Sequence, residues 1–208
     1  MAGFDWYQAT IPSDVDTVVE ALFGLADGLA ISHERGLHGY GQSTVLGNEE
    51  HGPVARVMHG GTHPYPHAVL SGEWAQPGSE LIRAAFPVHS VSRLDVREDF
   101  GDVGAYDAIQ GQLVGAAKRH RLVVGTAGDH LVTMKGRTVY LGAPSSAVRL
   151  RLYDKRAEML AKYASEGDRA TVVKALGIPD QLARLEAQIR PHGKEAKARF
   201  AAIEPVEA

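Results

Sequence analysis

Apolar and polar residues alternate along three short stretches of this chain, at residues 92–99, 149–155 and 184–190. Side chains in a β-strand point alternately to its two faces, so this pattern is typical of strands with one face against a core. In each stretch the aliphatic positions share one face and the charged positions share the other. The sequence therefore predicts three strands, each with a charged face opposite the core.

Other patterns indicate further elements. Strands are predicted at 4–11, 54–58, 67–74, 88–96, 121–126, 130–134 and 137–142. Helices are predicted at 13–28 with Ser13 as the N-cap, at 77–86, from 106 to the basic run 118–121, and at 157–165 and 194–203. Residues 30–49 predict a ragged strand and loop, and residues 166–180 a connection with one short helix. Antiparallel strands with interspersed helices favour an α+β fold, with helices packed on a central, mostly antiparallel sheet.

The length and composition predict an ordinary globular protein. The chain has 208 residues, of which 44% are hydrophobic and 23% are charged. One domain over residues 1–203 is the expected organisation, and residues 204–208 read as a tail or the start of a linker.

The chain contains no cysteine, which excludes disulfides, thiolate zinc sites and a cysteine nucleophile. No apolar run approaches the ~20 residues that span a bilayer, and no signal-peptide pattern is present. We expect a cytoplasmic protein with no membrane partner.

Charge is distributed unevenly along the chain. Residues 1–114 contain 5 Lys/Arg and 15 Asp/Glu, whereas residues 115–208 contain 17 Lys/Arg and 10 Asp/Glu. This asymmetry is one hint of contact with a polyanion. The alternative is that the charges segregate in sequence and mix again in space, and composition alone leaves both interpretations open.

The stretch 149–155 carries the most informative chemistry, because its charged face contains a tyrosine. Tyr153 shares that face with three cations, namely Arg149, Arg151 and Lys155. A phenol with a pKa of roughly 10 is a poor nucleophile unless cations or a metal stabilise the phenolate. We expect a solvated face on which this hydroxyl meets a phosphate substrate. The alternative is a packing tyrosine flanked by solvated charges.

Carboxylates occupy the charged faces of the other two stretches. Asp95 and Glu186 lie opposite aliphatic residues, and Asp99 continues the face of Asp95 if that strand persists. Hard oxygen ligands of this kind suit Mg²⁺ or Mn²⁺, with His89 as a candidate third ligand. Neighbouring arginines leave open the alternative that each carboxylate is half of a structural ion pair.

The same stretches carry motifs in an order that resembles the replication initiation factor family, the rolling-circle initiators of certain plasmids and filamentous phages. The matching segments are Arg93-Leu94-Asp95, Thr138-Val139-Tyr140-Leu141-Gly142, Ser146 followed by Arg151-Leu152-Tyr153-Asp154-Lys155 and Glu158, and Arg184-Leu185-Glu186. The chain departs from the family pattern at Ala143-Pro144, where the family usually has Ser followed by a basic residue.

The resemblance implies a DNA nicking and joining endonuclease with a tyrosine nucleophile. Tyr153 would attack a phosphodiester at a replication origin and form a 5′-phosphotyrosine link, while Arg151 and Lys155 neutralise the phosphate. A divalent metal held by Asp95, Glu186 and Asp99 would assist.

The implied substrate is single-stranded or supercoiled origin DNA. The residues expected to contact its backbone are Arg149, Arg137, Lys118, Arg119, Arg184 and Arg190. A host helicase and a second copy of the chain are further candidate partners.

Two other interpretations stay open. One is a non-catalytic DNA-binding relative of the same fold, in which Tyr153 stacks or packs. The other is an unrelated interaction domain whose charge asymmetry serves dimerisation.

Overall fold

The computed structural model describes residues 2–163 and 169–203, and this part of the chain contains ten strands and six α-helices. The strands are β1 Gly3–Thr10, β2 Ala30–Arg35, β3 Gln42–Asn48, β4 Gly52–His59, β5 His67–Ser71, β6 Ser90–Phe100, β7 Val124–Ala127, β8 Thr138–Leu141, β9 Val148–Asp154 and β10 Ala183–Ile189. The helices are α1 Val15–Leu22, α2 Ala75–Ala85, α3 Ala105–His120, α4 Lys155–Tyr163, α5 Arg169–Leu176 and α6 Lys194–Ala201. The predicted α+β fold with a mostly antiparallel sheet is confirmed.

The backbone forms two compact units. The first unit contains residues 3–96 and 189–203, and the second contains residues 97–163 and 169–188. Two strands, β6 and β10, each begin in one unit and end in the other. The expectation of one domain stays a prediction.

The first unit is built on an antiparallel meander. Its strands follow the order β2-β3-β4-β5-β1, with the first part of β6 next to β1. The apolar faces of α1 and α2 bury Val18, Leu22 and Ile82 against strand residues such as Tyr7 and Leu70. Each fully buried side chain of this size contributes roughly 2 kcal/mol of hydrophobic stabilisation.

The second unit places the candidate nucleophile. Its strands follow the order β10-β9-β8-β7, with the end of β6 next to β10. Leu152 is fully buried in a cluster that includes Tyr106, Leu113 and Ala117 of α3. Side chains alternate along β9, so Tyr153 points to the face opposite this apolar cluster. The predicted division of β9 into an aliphatic face and a charged face is confirmed.

The predicted strand at 130–134 is wrong. The carboxylate of Asp129 accepts hydrogen bonds from the backbone N–H groups of Leu131, Val132 and Thr133, which folds the segment into a tight loop. These backbone hydrogen bonds and one from the Thr133 hydroxyl lower the pKa of Asp129. Leu131 and Val132 therefore lie in solvent, although their apolar character favoured a strand.

Several other elements also differ from the sequence prediction, and three of them bear on the argument. Asp14, not Ser13, caps α1, because its carboxylate accepts the N–H of Thr17 at 2.8 Å. Residues 30–49 form two paired strands, β2 and β3, in place of a ragged strand and loop. Lys155 begins α4 and does not continue the strand that carries Tyr153.

Some predictions fall outside the described residues. The end of the helix predicted at 157–165, the start of the connection predicted at 166–180 and the tail at 204–208 are among them. Within the described ranges, no helix is long and apolar enough to cross a membrane.

Candidate active site

A hydrogen bond between Tyr153 and Glu186 lies at the centre of the candidate site. The phenolic hydroxyl of Tyr153 on β9 donates to Oε1 of Glu186 on β10, over 2.6 Å. Both residues are buried, with exposed fractions of 3% and 5%. Burial raises the pKa of the Tyr153 phenol, and the hydrogen bond to the Glu186 carboxylate raises it further. The phenol is therefore held in its protonated form.

Charged side chains cover Tyr153, in contrast to the solvated face that the sequence predicted. The guanidinium carbon of Arg151 lies 3.9 Å from the centroid of the Tyr153 ring, and one of its nitrogens lies 3.4 Å from Oε2 of Glu186. The ammonium of Lys155 lies 5.8 Å from the same centroid and pairs with Glu158. The phenol therefore lies on the predicted face and next to the predicted cations, but these side chains cover it from solvent.

Asp99 forms an ion-pair cluster close to the end of β6. Arg184 donates two hydrogen bonds to its carboxylate, at 2.6 and 2.7 Å, and Arg97 donates one at 3.0 Å. Burial alone would raise the pKa of Asp99, but the hydrogen bonds and charge of Arg184 outweigh it and lower the pKa. Because Arg184 is only 6% exposed, this cluster is better explained as structural than as a DNA contact.

Asp95 lies in the first unit and has a guanidinium partner of its own. Arg93 donates to both of its carboxylate oxygens, at 2.9 and 2.5 Å, and also stacks on the Trp6 ring. The bidentate geometry satisfies the carboxylate without a metal.

The described carboxylates do not form a ready metal site. Asp95, Asp99 and Glu186 are each bound by a cationic or phenolic neighbour. No cluster of three or more metal-type ligands occurs within residues 2–163 and 169–203. This arrangement does not fit a bound Mg²⁺ or Mn²⁺, and metal dependence stays a prediction.

His89, the candidate third ligand, is occupied within the first unit. Its Nδ1 donates to the carbonyl of Phe86 at 2.7 Å, and its Nε2 lies 2.6 Å from the Tyr7 hydroxyl. Burial lowers the pKa of His89, so its ring is neutral and Nε2 accepts a hydrogen bond from the Tyr7 hydroxyl. Neither ring nitrogen is left for a metal.

The residues predicted to contact DNA have different environments. Lys118 and Arg119 are exposed in the last turn of α3. Arg137 forms an ion pair with Asp107 at 2.6 Å. Arg149 has no carboxylate partner among the described residues and stacks on a tyrosine ring. Arg190 is half-buried, just after β10 in the first unit.

A cavity of about 710 Å³ lies in the second unit. Asp154 lines it, together with Arg137, Leu160 and Leu182, whereas Tyr153 does not. Alternation along β9 places Asp154 and Tyr153 on opposite faces. The cavity is therefore separate from the candidate nucleophile.

The sequence prediction missed Tyr140 as a member of this face. Tyr140 lies on β8 directly opposite Arg151 of β9. Residues opposite each other in an antiparallel pair share a face, so Tyr140 belongs with Tyr153. Its place in the Thr138–Gly142 motif was the available signal, but the register of β8 against β9 is set by tertiary pairing.

Comparison with solved structures identifies a related fold. The fold is similar to that of the rolling circle replication initiator protein from Geobacillus stearothermophilus. The two chains share 23% sequence identity with a TM-score of 0.60, and the match covers 96% of this chain and 77% of that chain. No family model matches the sequence, and no curated protein does so. At this level of identity the likeness shows the fold.

Proposed function

We propose that this chain is a rolling-circle replication initiator that nicks and rejoins single-stranded or supercoiled DNA at an origin. The similarity of its fold to a rolling circle replication initiator supports the class of protein. The observation that carries the chemistry is the 2.6 Å hydrogen bond from the Tyr153 hydroxyl to Glu186, next to two cations. These groups are a nucleophile, a proton acceptor and charges suited to a phosphate.

The proposed reaction exchanges one phosphoester for another. The phenolic oxygen of Tyr153 attacks the scissile phosphorus, and the bond from phosphorus to the 3′ oxygen breaks. The phenolic proton passes to Glu186. The departing 3′ oxygen takes a proton from solvent water to become a hydroxyl, and Glu186 then releases its proton to solvent. The product is a 5′-phosphotyrosine. Because the phosphoester bond energy is conserved in this link, attack by a 3′ hydroxyl can rejoin the DNA strand and release Tyr153 without a nucleotide cofactor.

This reaction requires that Tyr153 be uncovered, and we take Arg151 as the part of its cover that moves. The Arg151 side chain is 37% exposed, and its contact with Glu186 is long, at 3.4 Å. The Glu186 carboxylate is only 6% exposed, so taking Arg151 away from it has a cost that the incoming ligand must offset. A DNA phosphate supplies a replacement anion for this guanidinium and can draw it off the phenol ring.

Metal assistance stays in the proposal as one expectation, namely that the rate of nicking depends on Mg²⁺ or Mn²⁺, and this dependence is to be measured. None of the steps above passes through a metal, since Asp95, Asp99 and Glu186 are already bound by other side chains. Positioning and charge stabilisation by Arg151 and Lys155 are the contributions that this chain's own residues supply.

The burial of Tyr153 favours a second candidate function, a non-catalytic DNA-binding relative. In that case the 3% exposed phenol is a packing residue and the cations above it bind the DNA backbone. The two functions differ in one observable product, the covalent link between protein and DNA.

The test uses single-stranded oligonucleotides tiled across the DNA that flanks the chain's own gene, together with a randomised pool, in Mg²⁺ and in Mn²⁺. We expect a covalent protein–DNA adduct with the wild type, none with Tyr153→Phe, and an unchanged yield with the matched control Tyr65→Phe. Tyr65 is an exposed tyrosine of the first unit. DNA binding without an adduct from any pool would overturn the nicking activity and support the second candidate.

A further inference from the structure

Tyr140 and Arg149 form a second cation–aromatic pair on the face that carries Tyr153. The guanidinium carbon of Arg149 lies 4.0 Å from the centroid of the Tyr140 ring. Arg149 and Tyr153 lie two residues on either side of Arg151, which is directly opposite Tyr140. Two arginine–tyrosine stacks therefore stand next to each other on β8 and β9.

The two stacks differ in how their arginine is neutralised. Arg151 has the carboxylate of Glu186 as a partner. Arg149 has no hydrogen-bond or ion-pair partner in the described ranges, and its Nε is buried without an acceptor. A half-buried guanidinium that lies over a ring, with no carboxylate partner among residues 2–163 and 169–203, is suited to receive an anion from a ligand.

The strand beyond Tyr140 leaves space next to its ring. Gly125 of the edge strand β7 lies directly opposite Tyr140 and has no side chain to cover it. A Cβ added to Gly125 would lie 3.8 Å from the Cβ of Tyr140, an ordinary contact distance. The Tyr140 ring therefore has Arg149 over it, and no side chain of β7 occupies the position directly opposite on the neighbouring strand.

We infer that Tyr140 and Arg149 bind a single DNA strand beside Tyr153, with a backbone phosphate on Arg149 and a base stacked on Tyr140 in the space beside Gly125. The inference rests on the proposed function in taking DNA as the ligand. Arg149 and Tyr153 are four positions apart on β9, a span of ~13 Å that a few nucleotides can cover. Aromatic rings with arginines alongside are the usual platform for single strands, because every base has a face to stack.

The first test separates base stacking from structural support of the sheet. Affinity is measured by fluorescence anisotropy in the Tyr153→Phe background, which allows no covalent link, with a single-stranded oligonucleotide and its abasic counterpart. Tyr140→Ala should weaken binding to the normal strand about tenfold and leave binding to the abasic strand unchanged. Tyr140→Phe should bind both strands as the parent does, because it keeps the ring.

The second test examines two contacts separately: the base in the space beside the Tyr140 ring, and the phosphate on Arg149. Gly125→Val should weaken binding to the normal strand but not to the abasic one, since it fills the gap without touching Arg149. Arg149→Gln should weaken binding to both strands and reduce the slope of log affinity against log salt by about 0.7, the value for one phosphate contact. Arg156→Gln is the matched control, because it removes one charge from an arginine of the same unit that already pairs with Asp180.

Three results would overturn the inference: equal effects of Tyr140→Ala on both strands, no effect of Gly125→Val, or a salt slope unchanged in Arg149→Gln. Failure here is distinguishable from failure of the proposed function. An adduct at Tyr153 with no role for Tyr140 would remove only the subsite, whereas selective binding with no adduct would remove only the nicking activity.

Discussion

The hydroxyl of Tyr153 donates a hydrogen bond to Oε1 of Glu186 over 2.6 Å, within a layer of charged side chains on one face of a sheet. The two residues are 33 positions apart in sequence. The contact places a carboxylate where it can receive the phenolic proton as the oxygen attacks phosphorus. It also keeps the phenol protonated until a substrate arrives, because a neighbouring negative charge opposes ionisation.

The first prediction concerns the ionisation of this phenol. Burial and Glu186 both raise the pKa of Tyr153 above its ordinary value, so removing the negative charge should lower it. We expect Glu186→Gln to shift the Tyr153 titration to lower pH. The measurement is the ultraviolet absorbance of the phenolate as a function of pH. For each protein, the titration of the same protein carrying Tyr153→Phe is subtracted, so that only the signal of Tyr153 remains.

An unchanged or raised Tyr153 pKa in Glu186→Gln would mean that the two groups do not interact in solution as they do here. The control is Glu158→Gln. Glu158 raises the pKa of Tyr153 less than Glu186 does, so its removal should give the smaller shift in the same direction.

The second prediction separates a proton acceptor from a metal ligand. If Glu186 takes the phenolic proton, Glu186→Gln should lower the rate of adduct formation by about 10²- to 10⁴-fold at saturating Mn²⁺. The Mn²⁺ concentration that gives half of the maximal rate should stay the same. The measurement is single-turnover adduct formation across a Mn²⁺ titration.

A large increase in the Mn²⁺ requirement of Glu186→Gln would assign the residue to a metal site instead. Glu186→Asp serves as the conservative comparison, since it keeps the charge and retracts it by one methylene. We expect it to retain more activity than the glutamine variant.

The third prediction concerns the cluster around Asp99. Arg184 is 6% exposed and holds Asp99 through two hydrogen bonds, so Arg184→Ala leaves a partly buried carboxylate without its main partner. We expect the free energy of unfolding to fall by about 3 kcal/mol, measured by urea denaturation at neutral pH. Arg119→Ala, an exposed control, should change it by less than about 0.5 kcal/mol.

The stabilisation that the Asp99 cluster provides should also decrease as the pH falls. Because the folded pKa of Asp99 is lowered, its contribution is present above the unfolded pKa of about 4 and is lost as pH falls through the folded value. The stability difference between Arg184→Ala and wild type should therefore shrink in acid. A difference that stays constant down to strongly acidic pH would contradict this explanation.

The fourth prediction concerns His67 of the first unit, whose Nδ1 lies 3.0 Å from the Thr10 hydroxyl. Burial, with smaller effects from His38 and His63, lowers the pKa of His67 to about 4, below its ordinary 6.5. The unfolded state therefore binds more protons between these values, and stability is lost as pH falls from 6.5 towards 4. The full effect is about 3 kcal/mol.

We expect the slope of stability against pH in this range to be shallower in His67→Gln than in wild type, by urea denaturation at several pH values. His120→Gln, an exposed histidine of α3, should keep the wild-type slope. Equal slopes in wild type and His67→Gln would show that the ring is not held neutral.

Much of the site could be predicted from local patterns, because the two-residue repeat of a strand fixes which side chains share a face. That repeat placed Tyr153 and Arg151 together and put Glu186 on the charged face of its own strand. The contact between Tyr153 and Glu186 depends in addition on β9 and β10 being neighbours, which is a tertiary fact that the motif order only hinted at.

The burial of Tyr153 could not be predicted, because it depends on where the side chains of Arg151 and Lys155 lie relative to the ring. A sequence shows that a cation is present but not whether it points to solvent or to an aromatic face. The loop at Asp129 is a similar case. Its apolar residues match a strand, and only the capping of their N–H groups by one carboxylate decides against it.

The most direct test of the central claim is to digest the protein–DNA adduct and identify the modified residue by mass spectrometry. The account predicts a nucleotide 5′-phosphate linked to the phenolic oxygen of Tyr153, and a free 3′ hydroxyl on the released strand. An adduct on any other residue, or none from DNA that the protein demonstrably binds, would contradict it.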